Sequence, residues 1–350
     1  MPNGHNRRDF LRILGAGIAG LMANPAFATA SAGPHIKPIT GSWFEFQHHV
    51  MVEGPDWNPA CARFTAAQWQ AKVKEIADAG LDTLVLMATA IYHRAFFDTS
   101  IYAKLQMGCD DPLEAVLSAA DNLGVMFFIG GGFYGDWRDE KTISDPVARK
   151  QRLQSLGELA ARYGHHASFH GWYWPDEARI DPYYRPEYIT YVNELSKEAR
   201  RLTPNSPIMI APYGTRLVKA DDSYVKQLDA MDVDIVAYQD EVGVRKSTPA
   251  ETPASYEGLR KAHDRAQKAK LWADVEIFDC EGAVYSTPLV PAPIERIVRQ
   301  LRAVSPWVDK ILVYQYLGMM NQPGTTAFAG SPASTRLYTD YRNWLNTQRR

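Results

Sequence analysis

Eight times between residues 41 and 345 the chain passes from a short apolar, β-branched or aromatic run to a longer stretch with helical periodicity. The strand-like runs fall at 43–48, 81–89, 125–130, 168–174, 208–211, 233–238, 271–278 and 310–316. The helical stretches fall at 66–79, 113–123, 145–163, 186–202, 224–230, 255–270, 293–304 and 334–345. Gly80, Gly124 and Gly164 stand just past three of the helices, where a stop signal belongs, and Asp145 stands where a capping side chain belongs. Repeated βα units imply a parallel sheet covered by helices. An open doubly wound sheet also alternates, but it brings a glycine-rich phosphate turn after its first strand. Here Glu45-Phe46-Gln47-His48 holds that place, and Gly130-Gly131-Gly132 lacks the required glycine spacing. The expectation is an α/β protein built as a single (β/α)8 TIM barrel over residues 41–350, with no linker or repeat dividing it.

Residues 1–30 read as a twin-arginine-type signal peptide. Asn6-Arg7-Arg8-Asp9-Phe10-Leu11-Arg12 precedes an apolar stretch at 13–22 and small-residue steps at Ala26-Phe27-Ala28 and Ala28-Thr29-Ala30. That stretch is shorter than the roughly 18 apolar residues that span a bilayer. The expected partner is therefore the twin-arginine export machinery. After cleavage the protein is expected to be periplasmic or secreted without a membrane anchor, with 31–40 as an N-terminal extension. A net charge of −2 carries no footprint for nucleic acid. Cys61, Cys109 and Cys280 are widely spaced and declare neither a disulfide framework nor a zinc site.

In a barrel of this kind the chemistry sits at the C-terminal ends of the strands. Those ends offer Glu45 on strand one, Trp174, Asp176 and Glu177 on strand four, and Tyr213 on strand five. Strand six ends in Tyr238, Gln239 and Asp240, strand seven carries Trp272, Asp274 and Glu276, and strand eight ends in Tyr316. Acids, amides and large rings together suit a polyhydroxylated ligand. Glycoside hydrolysis needs one carboxyl group held neutral and a second held ionised. Glu177, flanked by Trp172, Tyr173 and Trp174, is the candidate acid, because apolar surroundings penalise its charged form. Glu276 is the candidate nucleophile, since period two puts it on one face with Trp272 and Asp274. Asp240, Gln239, Tyr238, Trp174, Asp176, Trp272, Tyr316, Glu45 and Tyr213 are the candidate sugar contacts.

An acid after strand four and a nucleophile at strand seven resemble the arrangement of clan-A retaining glycoside hydrolases. More narrowly, four runs are similar to an exported bacterial TIM-barrel family of unknown function within the glycoside-hydrolase-like barrels. They are Ile39-Thr40-Gly41-Ser42-Trp43-Phe44, the run from Gly171 to Glu177, Tyr238-Gln239-Asp240 and the run from Trp272 to Glu276. The resemblance extends over residues 39–345. It implies a hydrolase or transglycosylase of an extracytoplasmic oligo- or polysaccharide, of the retaining type, with no cofactor. Clan-A enzymes place Asn before the strand-four Glu, and here that place is held by Asp176, so Asp176 and Glu177 both stand as candidates for the acid.

The histidines do not make a metal site by spacing. Adjacent residues on a strand point to opposite faces, so His48-His49 and His165-His166 are not chelating pairs by themselves, and no H-E-x-x-H helix is present. No metal is expected. The alternative to an enzyme is a non-catalytic saccharide-binding barrel serving polysaccharide export or assembly, which needs the aromatic groove but no matched acid pair.

Overall fold

A computed structural model describes residues 35–348; the targeting-type segment at 1–30 lies outside the described residues. The barrel strands are β1 (Gly41–Phe44), β2 (Thr83–Leu86), β3 (Met126–Gly130), β4 (Phe169–Trp174), β5 (Ile208–Ile210), β6 (Ile235–Gln239), β7 (Lys270–Glu276) and β8 (Lys310–Tyr314). They run parallel and close into a ring in chain order, with β1 bonded to both β2 and β8. The covering helices are α1 (Ala66–Asp78), α2 (Pro112–Leu123), α3 (Pro146–Tyr163), α4 (Pro186–Leu202), α5 (Asp222–Ala230), α6 (Thr252–Ala266), α7 (Ile294–Val304) and α8 (Pro332–Gln348). The expected (β/α)8 barrel is the fold.

Local chemistry explains where the helices begin. Thr65 and Gln68 form a reciprocal capping box at α1, while Asp111 and Asp145 accept the third free amide of α2 and α3. Pro112, Pro146 and Pro186 occupy the first turns, where no amide partner is required. Gly124 ends α2 in the left-handed conformation at φ 67°. Gly164 differs from the expected left-handed stop: its φ is −64°, and a Cβ there would lie 2.4 Å from the Ala160 carbonyl oxygen. Close approach, rather than handedness, requires glycine at that point.

The strands are buried on both faces, and the phase of each decides what a side chain can do. On β4, Tyr173 points inward against Trp43, with ring centroids 5.8 Å apart. Trp172 and Trp174 point outward and donate to Thr203 (2.8 Å) and to Ser196 of α4 (3.2 Å). On β7, Trp272 packs inward against Phe128, with centroids 6.1 Å apart. Trp43, Phe128, Tyr173 and Trp272 thus fill the barrel beneath its mouth.

Outside the ring, Lys72 and Glu75 of α1 form a buried ion pair at 3.0 Å. Asn321 accepts from Lys72, and Tyr316 donates to Glu75. Two excursions wall the mouth. The segment after β2 makes a small sheet from Ala90–Ile91, Arg94–Ala95 and Ala103–Lys104. The segment after β7 pairs Phe278–Cys280 with Leu289–Pro291. Cys61, Cys109 and Cys280 are buried free thiols. Among the described residues no helix is long and apolar enough to cross a membrane.

Candidate active site

A cleft of about 710 Å³ opens at the C-terminal ends of the strands, and both Glu177 and Glu276 line it. Glu177 follows β4, carried just beyond the ring by Pro175 and Asp176. Its carboxylate accepts from the Tyr173 hydroxyl at 3.0 Å and from Gln239 Nε2 at 2.8 Å. Burial pushes its pKa up to about 7, against the pull of these two donors. A carboxyl that is partly protonated at neutral pH is chemically suited to give a proton to a leaving oxygen. The desolvation expected from the sequence is present, but its source differs: Trp172 and Trp174 face the helices, and Tyr173 alone of the three rings meets the acid.

Glu276 ends β7 and points into the cleft, as period two along that strand requires. Its Oε2 accepts from the Val244 amide at 2.8 Å. Burial, and then the nearby Asp240 carboxyl, push its pKa up to about 8. Asp274, two residues earlier on the same face, is 2% exposed, and its Oδ1 is buried with no hydrogen-bond partner. Burial and the charges of Glu276, Glu177 and Asp240 hold its pKa well above the ordinary carboxylate value. Among the described residues none of these three carboxyl groups has a lysine, arginine or histidine within ion-pairing distance. Burial raises the pKa of all three, and that of Asp274 is raised further by the other two.

Three candidate sugar contacts do line the cleft: Gln239, Asp176 and Tyr213. Asp176 is paired with Arg152 of α3 at 3.2 Å, a buried bridge beneath Glu177. The other six do not line it: Trp174 and Tyr238 face outward by strand phase, Tyr316 and Asp240 lie past the strand ends and turn to the helices, and Trp272 and Glu45 face inward but are packed within the barrel. Trp174 bonds to α4, as described above. Tyr238 points outward from β6 to the Tyr224 hydroxyl (2.6 Å) and His263 (2.9 Å). Tyr316 donates to Glu75 on the far side of the wall. Trp272 fills the barrel below the floor. Asp240 turns toward α7, accepting from Gln300 Nε2 at 2.7 Å and from the Glu276 amide at 3.1 Å. It therefore braces Glu276 from behind. Glu45 lies inside the barrel, accepting from Trp57 Nε1 at 2.9 Å and from Gln315 and His48.

Two groups have donor atoms close enough to suit a metal ion, Glu45 with His48 and His49, and Glu114 with His165 and His166. The first is already an internal salt-bridged unit. His48 sits between Glu45 (3.0 Å) and Glu53 (3.0 Å); burial opposes its charge, but the two acids push its pKa up to about 9. A metal would have to displace that proton and compete with three donors on Glu45. In the second, His166 is held by Asp121 and Glu114.

Two further cleft residues were not among the candidate contacts: Glu241, which closes the run ending strand six, and Lys246, which carries no strand-end signal. Glu241 accepts from the Gly214 and Thr215 amides, and Lys246 lies over the Tyr213 and Tyr285 rings at 5.3 and 5.4 Å. Both sit in the loop after β6, and only the closed barrel brings that loop over the mouth.

The raised acids make stability fall with rising pH. Glu177 and Glu276 keep protons that the unfolded chain has released above its ordinary value of 4.5. Their contribution is complete below 4.5 and is lost as pH rises through about 7 and about 8. His48 acts in the same direction between 6.5 and about 9, so a variant comparison isolates the acid. Glu276→Gln should flatten the decline in thermal midpoint over that window relative to wild type. An unchanged slope would mean that Glu276 titrates normally in the folded protein.

Comparison with known proteins places this geometry. The family profile described as "Domain of unknown function (DUF4434)" matches residues 39–327. No curated protein gives a significant match. Among solved structures, a "putative alpha-L-fucosidase" from Bacteroides thetaiotaomicron VPI-5482 is similar over 95% of this chain and 99% of its own, at a TM-score of 0.73 and 17% identity. A family 5 mannosidase from Rhizomucor miehei, in a mutant form, is similar over 89% of this chain and 94% of its own, at 0.52 and 11%. A beta-galactosidase from the haloarchaeon Halorubrum lacusprofundi is similar over 89% of this chain but 58% of its own, at 0.55 and 12%. At these identities the likeness is one of fold.

Proposed function

The chain belongs to the DUF4434 family, and from that premise we propose that it is a glycoside hydrolase or transglycosylase acting on an extracytoplasmic saccharide. One observation carries the reading: two carboxyl groups, the half-buried Glu177 and the buried Glu276, project into one cleft from strands three places apart in an eight-strand ring. The glycosidases sharing this fold support it. Glu177 gives its proton to the leaving oxygen as the glycosidic bond breaks. Glu276 attacks the anomeric carbon, and water, relieved of a proton by Glu177, then releases the sugar. Gln239 and Tyr173 hold Glu177, while Val244 and the amide bond to Asp240 hold Glu276. Asp176, salt-bridged to Arg152, supports the Glu177 loop, and Glu177 is the carboxyl of the two whose side chain accepts from Gln239 and Tyr173 in the cleft. The twin-arginine-type residues near the start support export as part of the proposal.

Release of reducing ends from a panel of bacterial exopolysaccharides tests the reading, with Glu177→Gln as the comparison. The first product, followed by proton NMR, should keep the anomeric configuration of the substrate. Inversion would make Glu276 a base activating water, and absence of product from every polymer would sink the hydrolase reading.

One observation favours a second reading, saccharide binding without chemistry. Burial and the adjacent Asp240 carboxyl favour the neutral form of Glu276, and a neutral carboxyl is a poor nucleophile. Binding with no product, alike in wild type and Glu276→Gln, would favour it.

A further inference from the structure

Among the described residues, the acids on the floor of the cleft have no ion-paired counter-charge. Asp274, Glu276 and Glu177 lie on its walls and floor, with the carboxyl of Asp240 just behind Glu276 and the Tyr173 and Tyr314 hydroxyls beside them. The positive groups at the mouth are engaged elsewhere. His48 is held between Glu45 and Glu53, and Arg296 pairs with Asp279 and donates to the carbonyls of Phe278 and Glu276, from where its charge partly offsets Glu276 and Asp240 without pairing with either carboxyl. Arg138, Arg179 and Arg185 at the rim pair with Asp136, Asp181 and Glu140. Lys246 lies between two rings and 3.9 Å from Glu241. Asp274 lines the cleft while only 2% exposed, and its buried Oδ1, left without a donor, is a costly arrangement unless a ligand completes it.

A divalent metal is a poor fit to that vacancy of charge. Hard cations gather oxygens at about 2–2.6 Å, which brings the ligand atoms close to one another. Among the described residues, the acids of the floor are not among the groups of three whose donor atoms converge within 4.8 Å. A hydrogen-bonding organic cation needs no such convergence. Resting on the saccharide-hydrolase reading, we propose that the substrate is an amino sugar with a free, protonated primary amine, seated by the Asp274 carboxylate. An N-acetylated sugar offers a neutral amide at the same place and would leave the acids uncompensated. The ammonium would also favour the ionised form of neighbouring Glu276, the form in which it can attack, so that binding releases protons.

Calorimetric titration of the whole protein near neutral pH tests this with glucosamine, galactosamine and mannosamine. Each is compared with its N-acetyl form and its parent hexose. At least one amine should bind about tenfold or more tightly than both neutral counterparts, the worth of a charge-assisted bond. Binding should release protons, read from the buffer dependence of the heat. The preference should vanish in Asp274→Asn and persist in Asp274→Glu, with thermal unfolding checking that each variant folds. Neutral sugars binding as well as every amine, no binding by any amine, or a preference that survives Asp274→Asn, would overturn the inference. Cleavage separates it from the reading on which it rests. A protein that cuts only neutral or fully acetylated polymers is a hydrolase without amine specificity. One that prefers amines but yields no product from partly deacetylated polymers keeps the amine site and loses the hydrolase.

Discussion

Glu276→Gln should lower turnover by about a thousandfold or more while the fold stays intact, because it removes the group that attacks the anomeric carbon. The substitution is nearly isosteric. The amide oxygen can still accept from Val244, and the backbone amide still donates to Asp240. Structural damage is therefore a weak explanation for any loss. Truncation to Ala gives a sharper version of the same experiment. It opens space beside the anomeric carbon, where added azide can attack as Glu177 protonates the leaving oxygen. Activity restored by azide, with a glycosyl azide of inverted configuration, identifies Glu276 as the nucleophile. Full activity in Glu276→Gln would remove it from the chemistry and leave Asp274 as the next acid to test.

The largest effect on stability should come from Glu75→Leu, far from the cleft. Lys72 is fully buried, and burial lowers its pKa against the support of Glu75. Removing Glu75 leaves the ammonium with Asn321 and the face of the Tyr316 ring, and strands the Tyr316 hydroxyl and the Gln322 amide. Breaking one partner of a buried pair costs about 3–5 kcal/mol. Removing both charges, in Lys72→Met with Glu75→Leu, should cost less than Glu75→Leu alone, since no isolated charge remains. Denaturant unfolding of the single and double variants measures both. A double variant less stable than the single one would show that the pair contributes through packing rather than charge.

These two cases show what could be read in the chain and what could not. The ring of eight units was legible because apolar runs, a capping residue such as Asp145, and glycines such as Gly124 mark the alternation directly. The face of β7 was legible because Trp272, Asp274 and Glu276 recur at period two with small or aliphatic residues between them. On β4 and β6 the same reasoning failed for the large rings. Strands of a parallel barrel are buried on both sides, so Trp174 and Tyr238 satisfy an apolar pattern equally well facing the helices or the centre. Their indole and hydroxyl groups found partners on α4, α5 and α6, which no local spacing announces. Tyr316 and Asp240 lie beyond the last paired residues, where the alternation ceases to guide. The unpartnered carboxyl oxygen of Asp274 is a property of what does not surround it, and only three dimensions reveal it.

The two small sheets that wall the mouth carry a consequence for how such a protein can diversify. Each closes part of its hydrogen bonding within its own segment, Ala90–Ile91 with Arg94–Ala95 and Phe278–Cys280 with Leu289–Pro291. A wall with its own ladder leans little on the ring for its backbone partners. Lengthening, shortening or recolouring it alters which ligand is admitted, while the eight strands keep their register. Admission and architecture are thus written in different stretches of the gene, and drift in one need not endanger the other.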